Sequence, residues 1–89
     1  MSTEIEAVDM QLHMAVKALA VLQGEITCNL REIIKKAALL REKEEAGEEA
    51  NHLLGMISEN LNELIELFDR KKNLTRQVED LKRTESGLI

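Results

Sequence analysis

Ile5, Leu12, Leu19, Ile26, Ile33 and Leu40 recur every seventh residue, and Val8, Ala15, Leu22, Leu30 and Ala37 fall between them at steps of three or four. A stripe of that period stays on one side of an α-helix, so the spacing predicts a coiled-coil-like helix over about 3–45. Thr3 and Glu6 form a Thr-x-x-Glu capping box that would satisfy the first free amides. Gly24 interrupts the helix at a cost of about 1 kcal/mol relative to alanine, which permits a break without requiring one. From Arg41 to Asn51 no large apolar residue occurs, and nothing there needs burial. Apolar spacing resumes with Leu54, Ile57, Leu61, Leu64 and Phe68, then Leu74, Val78 and Leu81, predicting a second helix over about 50–85 with a register shift at Lys71 and Lys72. Ser86-Gly87 supplies a C-terminal stop before a short tail, because glycine takes the left-handed cap conformation cheaply.

Two architectures fit these elements, both all-α. The acidic segment is built of good helix formers, so local propensity favours one continuous rod. Pairing favours an antiparallel helical hairpin with an acidic turn at about 46–49. Counted outward from Gly47, Leu40 meets Leu54, Ala37 meets Ile57, Ile33 meets Leu61, Leu30 meets Leu64 and Ile26 meets Phe68. Past the register shift, Leu19 meets Leu74, Ala15 meets Val78, Leu12 meets Leu81 and Ile5 meets Leu88. Charges match in the same frame, with Arg31 near Glu63, Lys35 near Glu59, and Lys82 and Arg83 near Asp9. Exposed pairs of this kind contribute about 0–1 kcal/mol each, so they select register more than they stabilise. The hairpin is the preferred reading.

The helices carry more apolar surface than a hairpin seam can cover. Met14, Val21 and Cys28 make a second line beside the first, joined by Met10, Val16, Ile34 and Leu39, while Leu53, Met56, Ile65 and Leu67 lie off the main stripe of the second helix. A wide apolar arc suits a bundle of three or more helices. Two-fold pairing of identical hairpins into a four-helix bundle is one solution, and a heteromeric helical partner is another. The expected primary seam is therefore Ile5, Leu12, Leu19, Ile26, Ile33 and Leu40 with Leu54, Leu61, Leu64 and Phe68. Met10, Met14, Val21, Ile65 and Leu67 form the expected second contact.

Composition sharpens this picture. In 89 residues with no proline, four glycines and 1% aromatics, the core must be made of aliphatic side chains on long helices. Below about 70–80 residues a lone core rarely supplies more than a few kcal/mol, and 89 residues stand only just above that limit, which again argues for a protein partner. With 12 basic and 17 acidic residues, the net charge of −5 disfavours nucleic acid and anionic membrane, both of which need a dense basic surface. The longest strongly apolar run, Met14 to Leu22, contains Lys17 and is too short to span a bilayer. The acidic start, without a signal peptide's basic and apolar regions, and the single cysteine point to a reducing compartment, cytoplasmic with a nuclear location also open. The sequon Asn73-Leu74-Thr75 would be inert there.

Reactive chemistry is sparse. His13 and His52 fall at opposite ends of the hairpin, and no His-x-x-x-His, Cys-x-x-Cys or Glu-x-x-His spacing occurs, so no catalytic residue, metal or cofactor is expected. Cys28 is read as a packing residue, with a crosslink to a partner's cysteine as the sharper alternative. Gly24 and Gly55 have no phosphate-loop spacing and read as sites of close helix packing. The acidic segment lacks the ligand order of a calcium loop and reads as a solvated hinge. These readings converge on a non-enzymatic helical module that oligomerises or serves as a scaffold or adaptor in a larger complex. A small acidic chaperone holding a hydrophobic helix of a client is the alternative.

Overall fold

The computed structural model describes the backbone of residues 2–88 and the side chains of residues 4–87. Two helices account for 94% of it, α1 over Ser2–Glu45 and α2 over Asn51–Leu88, and together they form a hairpin. The rod is thereby set aside, and the reason is local. Gly47 adopts φ 71°, in the left-handed region that costs an L side chain roughly 1–2 kcal/mol and glycine almost nothing. Its amide donates to the Glu44 carbonyl at 3.1 Å, and the Glu48 amide donates to the Lys43 carbonyl at 2.9 Å. Those two bonds are a Schellman cap, which ends α1 within a segment whose other residues would have continued it. On the far side the Asn51 amide donates to the Glu49 carboxylate at 2.6 Å, and the Ala50 carbonyl accepts the first bond of α2. One backbone-permissive residue thus overrides the helix propensity of the glutamates around it.

By contact density the chain divides into two units, Gly24–Phe68 and the paired outer segments, residues up to Gln23 with those from Asp69. Within α1, the residues that lose most of their exposure are Ile5, Val8, Leu12, Ala15, Leu19, Leu22, Ile26, Asn29, Ile33, Lys36, Leu40 and Lys43. Within α2 they are Ala50, Leu53, Ile57, Asn60, Leu64, Leu67, Lys71, Leu74, Val78, Leu81 and Glu85, with Thr75 beside them. Both sets alternate steps of three and four from end to end, the signature of a coiled-coil seam in which each helix shows one narrow line to its partner. Ile26 is 2% exposed and Leu67 3%, and in a two-helix molecule the opposite helix is what covers them.

This seam corrects the expected register. Leu54, Leu61 and Phe68 are not in it; each is exposed, and the residues that take their places are Leu53, Asn60 and Leu67. Leu30 and Ala37 are likewise exposed, with Asn29 and Lys36 in the seam instead. No register shift occurs at Lys71 and Lys72, because Lys71 is itself a seam position. The physical reason is that an unbroken spacing keeps the two helices in contact along the whole line, whereas picking the most apolar residue at each turn makes the line wander off the interface. Some of the polar residues so enclosed find local solutions. Lys36 donates to the Asn60 side-chain oxygen across the hairpin, and the Thr75 hydroxyl donates to the Lys71 carbonyl at 2.7 Å.

The expected cross-helix charge pairs are not formed. Lys35 pairs with Glu32 at 3.7 Å and Arg83 with Asp80 at 3.8 Å, each within its own helix, while Lys43 reaches Glu48 in the turn at 3.6 Å. α1 passes through Gly24 without a break, and α2 runs through Gly87 to Leu88 rather than stopping near residue 85. A Cβ built on Gly24 or Gly55 would meet nothing within 4 Å, so neither glycine serves close packing. The side chains of Thr3 and Leu88 lie outside the described residues, and with them the Thr3/Glu6 capping box and the Ile5–Leu88 pairing.

The two glycines make an opposed pair of predictions. Gly24→Ala should stabilise the fold by about 0.5–1 kcal/mol, since it only removes backbone freedom from an exposed helical position. Gly47→Ala should cost roughly 1–2 kcal/mol by forcing a left-handed side-chain-bearing residue. Urea denaturation of both variants checks this; equal effects of the same sign would contradict the assignment of Gly47 as the helix stop.

Candidate interaction surface

After the hairpin has closed, twelve large apolar residues among those described are still exposed: seven on α1 (Met10, Met14, Val16, Val21, Leu30, Ile34, Leu39) and five on α2 (Leu54, Met56, Leu61, Ile65, Phe68). Their places on the helices separate them into three groups. Heptad letters assigned so that Ile5, Ile26, Ile57 and Leu64 are a positions put the seam at a and d of both helices. In an antiparallel pair the two g lines flank one side of the seam and the two e lines the other.

The g side of Gly24–Phe68 is a groove of about 330 Å³ lined by Lys36, Leu39, Lys43, Glu49, Ala50, His52, Leu53 and Met56. Leu39 and Met56 are both g residues, and their meeting in one groove fixes which side is which. The surface it exposes is mostly apolar, although the charged and polar residues Lys36, Lys43, Glu49 and His52 stand along it, and the nearby seam positions on α1 are Asn29, Lys36 and Lys43. The e side is different. Leu30 and Ala37 on α1 and Leu54, Leu61 and Phe68 on α2 are all e residues, and Ile34 and Ile65 stand beside them at b. Ile34 and Ile65 are 67% and 61% exposed, the values of residues that nothing covers. The apolar arc of each helix here is centred on the a/e edge and not on the a/d seam, so hairpin formation buries only one flank of it.

The third group is Met10, Met14, Val16 and Val21, all on α1 in the outer unit. There the e positions of α2 are Thr75 and Lys82, so no matching apolar line accompanies them.

Of the fifteen residues expected at interfaces, the structure places Ile5, Leu12, Leu19, Ile26, Ile33, Leu40 and Leu64 in the hairpin seam. Leu67, expected in the second contact, is also a seam residue, buried too deeply to meet another molecule. Leu54, Leu61 and Phe68 join Ile65 on the outer e face, and Met10, Met14 and Val21 are exposed on α1. Seam residues that the apolar stripe did not reveal, Asn29, Lys36, Asn60 and Lys71, carry no hydrophobic signal. Only the continuation of the three–four spacing through polar positions could have found them.

Metal-ligand geometry is not assembled: among the described residues no three His, Cys, Asp or Glu side chains are placed to hold an ion. His13, His52 and Cys28 are each exposed. Among the described residues no helix is long and apolar enough to cross a membrane. Comparison with known proteins finds no matching family model, no similar curated protein and no similar solved structure.

One polar group in the seam is conspicuous. Asn29 is 6% exposed, and its side-chain oxygen has no hydrogen-bond partner. A desolvated, unpaired amide oxygen costs roughly 1–3 kcal/mol, while leucine is the favoured residue at a d position. Asn29→Leu should therefore raise the denaturation midpoint, by the equivalent of about 1–2 kcal/mol. A lowered midpoint would show instead that the amide contributes to the native seam.

Proposed function

We propose that this chain is a non-enzymatic helical module whose work is association: a hairpin that uses its exposed apolar surface to oligomerise, or to act as scaffold or adaptor in a larger complex. The observation that carries this reading is the apolar e face of Gly24–Phe68, where six large aliphatic and aromatic side chains are left in water by a hairpin that is otherwise complete. Contiguous apolar surface of that extent on a soluble chain marks a place where another molecule sits. Helices are the fitting partner, because residues at e and b continue the three–four spacing that a further helix reads. A protein partner also agrees with the net charge of −5, which opposes nucleic acid and anionic membrane. A lone cysteine suits a reducing compartment, the cytoplasm or nucleus.

A second reading, a small acidic chaperone for a hydrophobic helix, draws on a different feature. Met10 and Met14 are 66% and 64% exposed on α1, and flexible methionines accommodate varied apolar partners. The e face is broader and spans both helices, so it outweighs the methionine pair.

Light scattering combined with titration of an apolar-surface dye tests the association reading. The expected result is a mass above the 10.1 kDa of one chain, or, where the chain stays monomeric, strong dye binding to an uncovered face. A 10.1 kDa monomer that is fully helical and binds no dye would overturn it.

A further inference from the structure

Resting on the association reading, we infer that the e face of Gly24–Phe68 is covered by the same face of a second copy, the two hairpins stacking into a four-helix bundle about a two-fold axis.

Area and charge carry the inference. Leu30, Ile34, Leu54, Leu61, Ile65 and Phe68 are between 40% and 67% exposed. At about 200 Å² for a fully exposed side chain of this size, they present roughly 600 Å² of apolar-residue surface, as much as the largest patch on a typical monomer. Ala37, Thr27 and Ser58 lie among them on the same e and b lines. With these and the rim, the face approaches the roughly 800 Å² per partner of a standard stable interface.

The charges decide what kind of partner. A second copy carries the same net charge of −5, so two copies can meet only where acids are not brought against acids. Over residues 27–41 and 51–68 the acidic residues are Glu32, Glu59, Glu63 and Glu66. All four occupy g or c positions, on the far side from the e face. The e and b positions in these spans hold no acid, and the charge among them is Arg41, which is already paired with Glu45 at 3.2 Å. Over these spans the face is therefore both apolar and free of acids, and the acid on the e line of Gly24–Phe68, Glu44, stands at the turn end of α1 beyond the apolar patch. The groove side fails on that count, since it is flanked by Glu32 and Glu63. The face is also the side on which the apolar arcs of both helices are incomplete, so a second layer finishes a core that uses a, d and e positions, as helices packed in bundles do. Identical faces closing on each other need no further surface, because a two-fold interface is self-complementary.

Point charges on opposite sides of the hairpin separate this arrangement from any other. Ile34→Asp and Ile65→Asp each place a carboxylate on the proposed contact. Leu39→Asp and Met14→Asp place one on the groove side and on the methionine line. None of the four residues is in the hairpin seam, and circular dichroism on each variant checks that it keeps its helices. Light scattering on the full chain should give twice the 10.1 kDa chain mass for the parent, Leu39→Asp and Met14→Asp, and the single-chain mass for Ile34→Asp and Ile65→Asp. A parent chain that is monomeric but binds the apolar-surface dye strongly would overturn self-pairing and leave association with a different helical partner standing. A dimer that survives Ile34→Asp and Ile65→Asp but is dissociated by Leu39→Asp or Met14→Asp would overturn the choice of face. Should either e-face variant lose helicity, Leu61→Gln, an uncharged change on the same face, takes its place, with weakened dimerisation expected and an undiminished dimer counting against the proposal.

Discussion

Two helices lying side by side can cover only one line of side chains on each other, and that limit governs the rest of this molecule. The line here is an a/d seam that alternates steps of three and four along both helices. Everything apolar that falls outside it stays in water unless a third helix arrives. In the outer unit the limit is mild, because α2 carries Thr75 and Lys82 on its e flank and only α1 has apolar surplus. In Gly24–Phe68 it is severe, because both helices have their apolar arcs displaced toward e and b. The surplus follows from how each helix is patterned. On the association reading it is the part of a wider core that the hairpin cannot reach.

The same displacement explains the polar residues within the seam. Asn29, Lys36 and Lys43 occupy successive d positions of α1, on the flank away from the apolar arc, and Asn60 faces them from α2 as the acceptor for Lys36. Lysine stems pack along apolar neighbours while their ammonium groups reach the groove, so these positions are half-buried at modest cost. Asn29 is the exception, enclosed with its side-chain oxygen unpaired. A polar residue at such a position weakens a coiled coil while disfavouring alternative registers. The inner seam is thus diluted where the outer face is rich.

Much of the fold was legible in the sequence. The α1 heptad from Ile5 to Leu40, the end of the first helix near residue 45, the reversal at Gly47 and the surplus of apolar residues all follow from spacing and from one glycine in an acidic segment. The α2 register was not legible in the same way. At Leu53/Leu54, Asn60/Leu61 and Leu67/Phe68, adjacent residues compete for the seam, and in each pair the second is apolar. Hydrophobicity alone selects the run Leu54, Leu61, Phe68, which is itself a flawless seven-residue repeat. What decides against it is continuity with Leu74, Val78 and Leu81, which demands Asn60 and Lys71 in the line. A sequence reading that maximises apolar character at every turn pays no attention to that demand and must then introduce a shift near Lys71. The misplaced residues are also the informative ones, since Leu54, Leu61 and Phe68, removed from the seam, become the centre of the candidate surface.

The charge pattern points the same way. Over residues 27–41 and 51–68 the acids lie on the g and c lines and leave the e face free of them, and Glu44, on the same e line, stands at the turn. Among the described residues ion pairs contribute nothing to the register, because those that form stay within one helix or reach only the turn. Register therefore rests on packing, and on the reading proposed above packing in Gly24–Phe68 is completed from outside. The most direct measurement of that claim is the thermal unfolding midpoint of the full chain over a hundredfold range of concentration. If folding is linked to association, mass action should raise the midpoint by roughly 5–10 °C across that range. A cooperative transition at the same temperature throughout would mean that the hairpin is complete by itself, and would contradict the account.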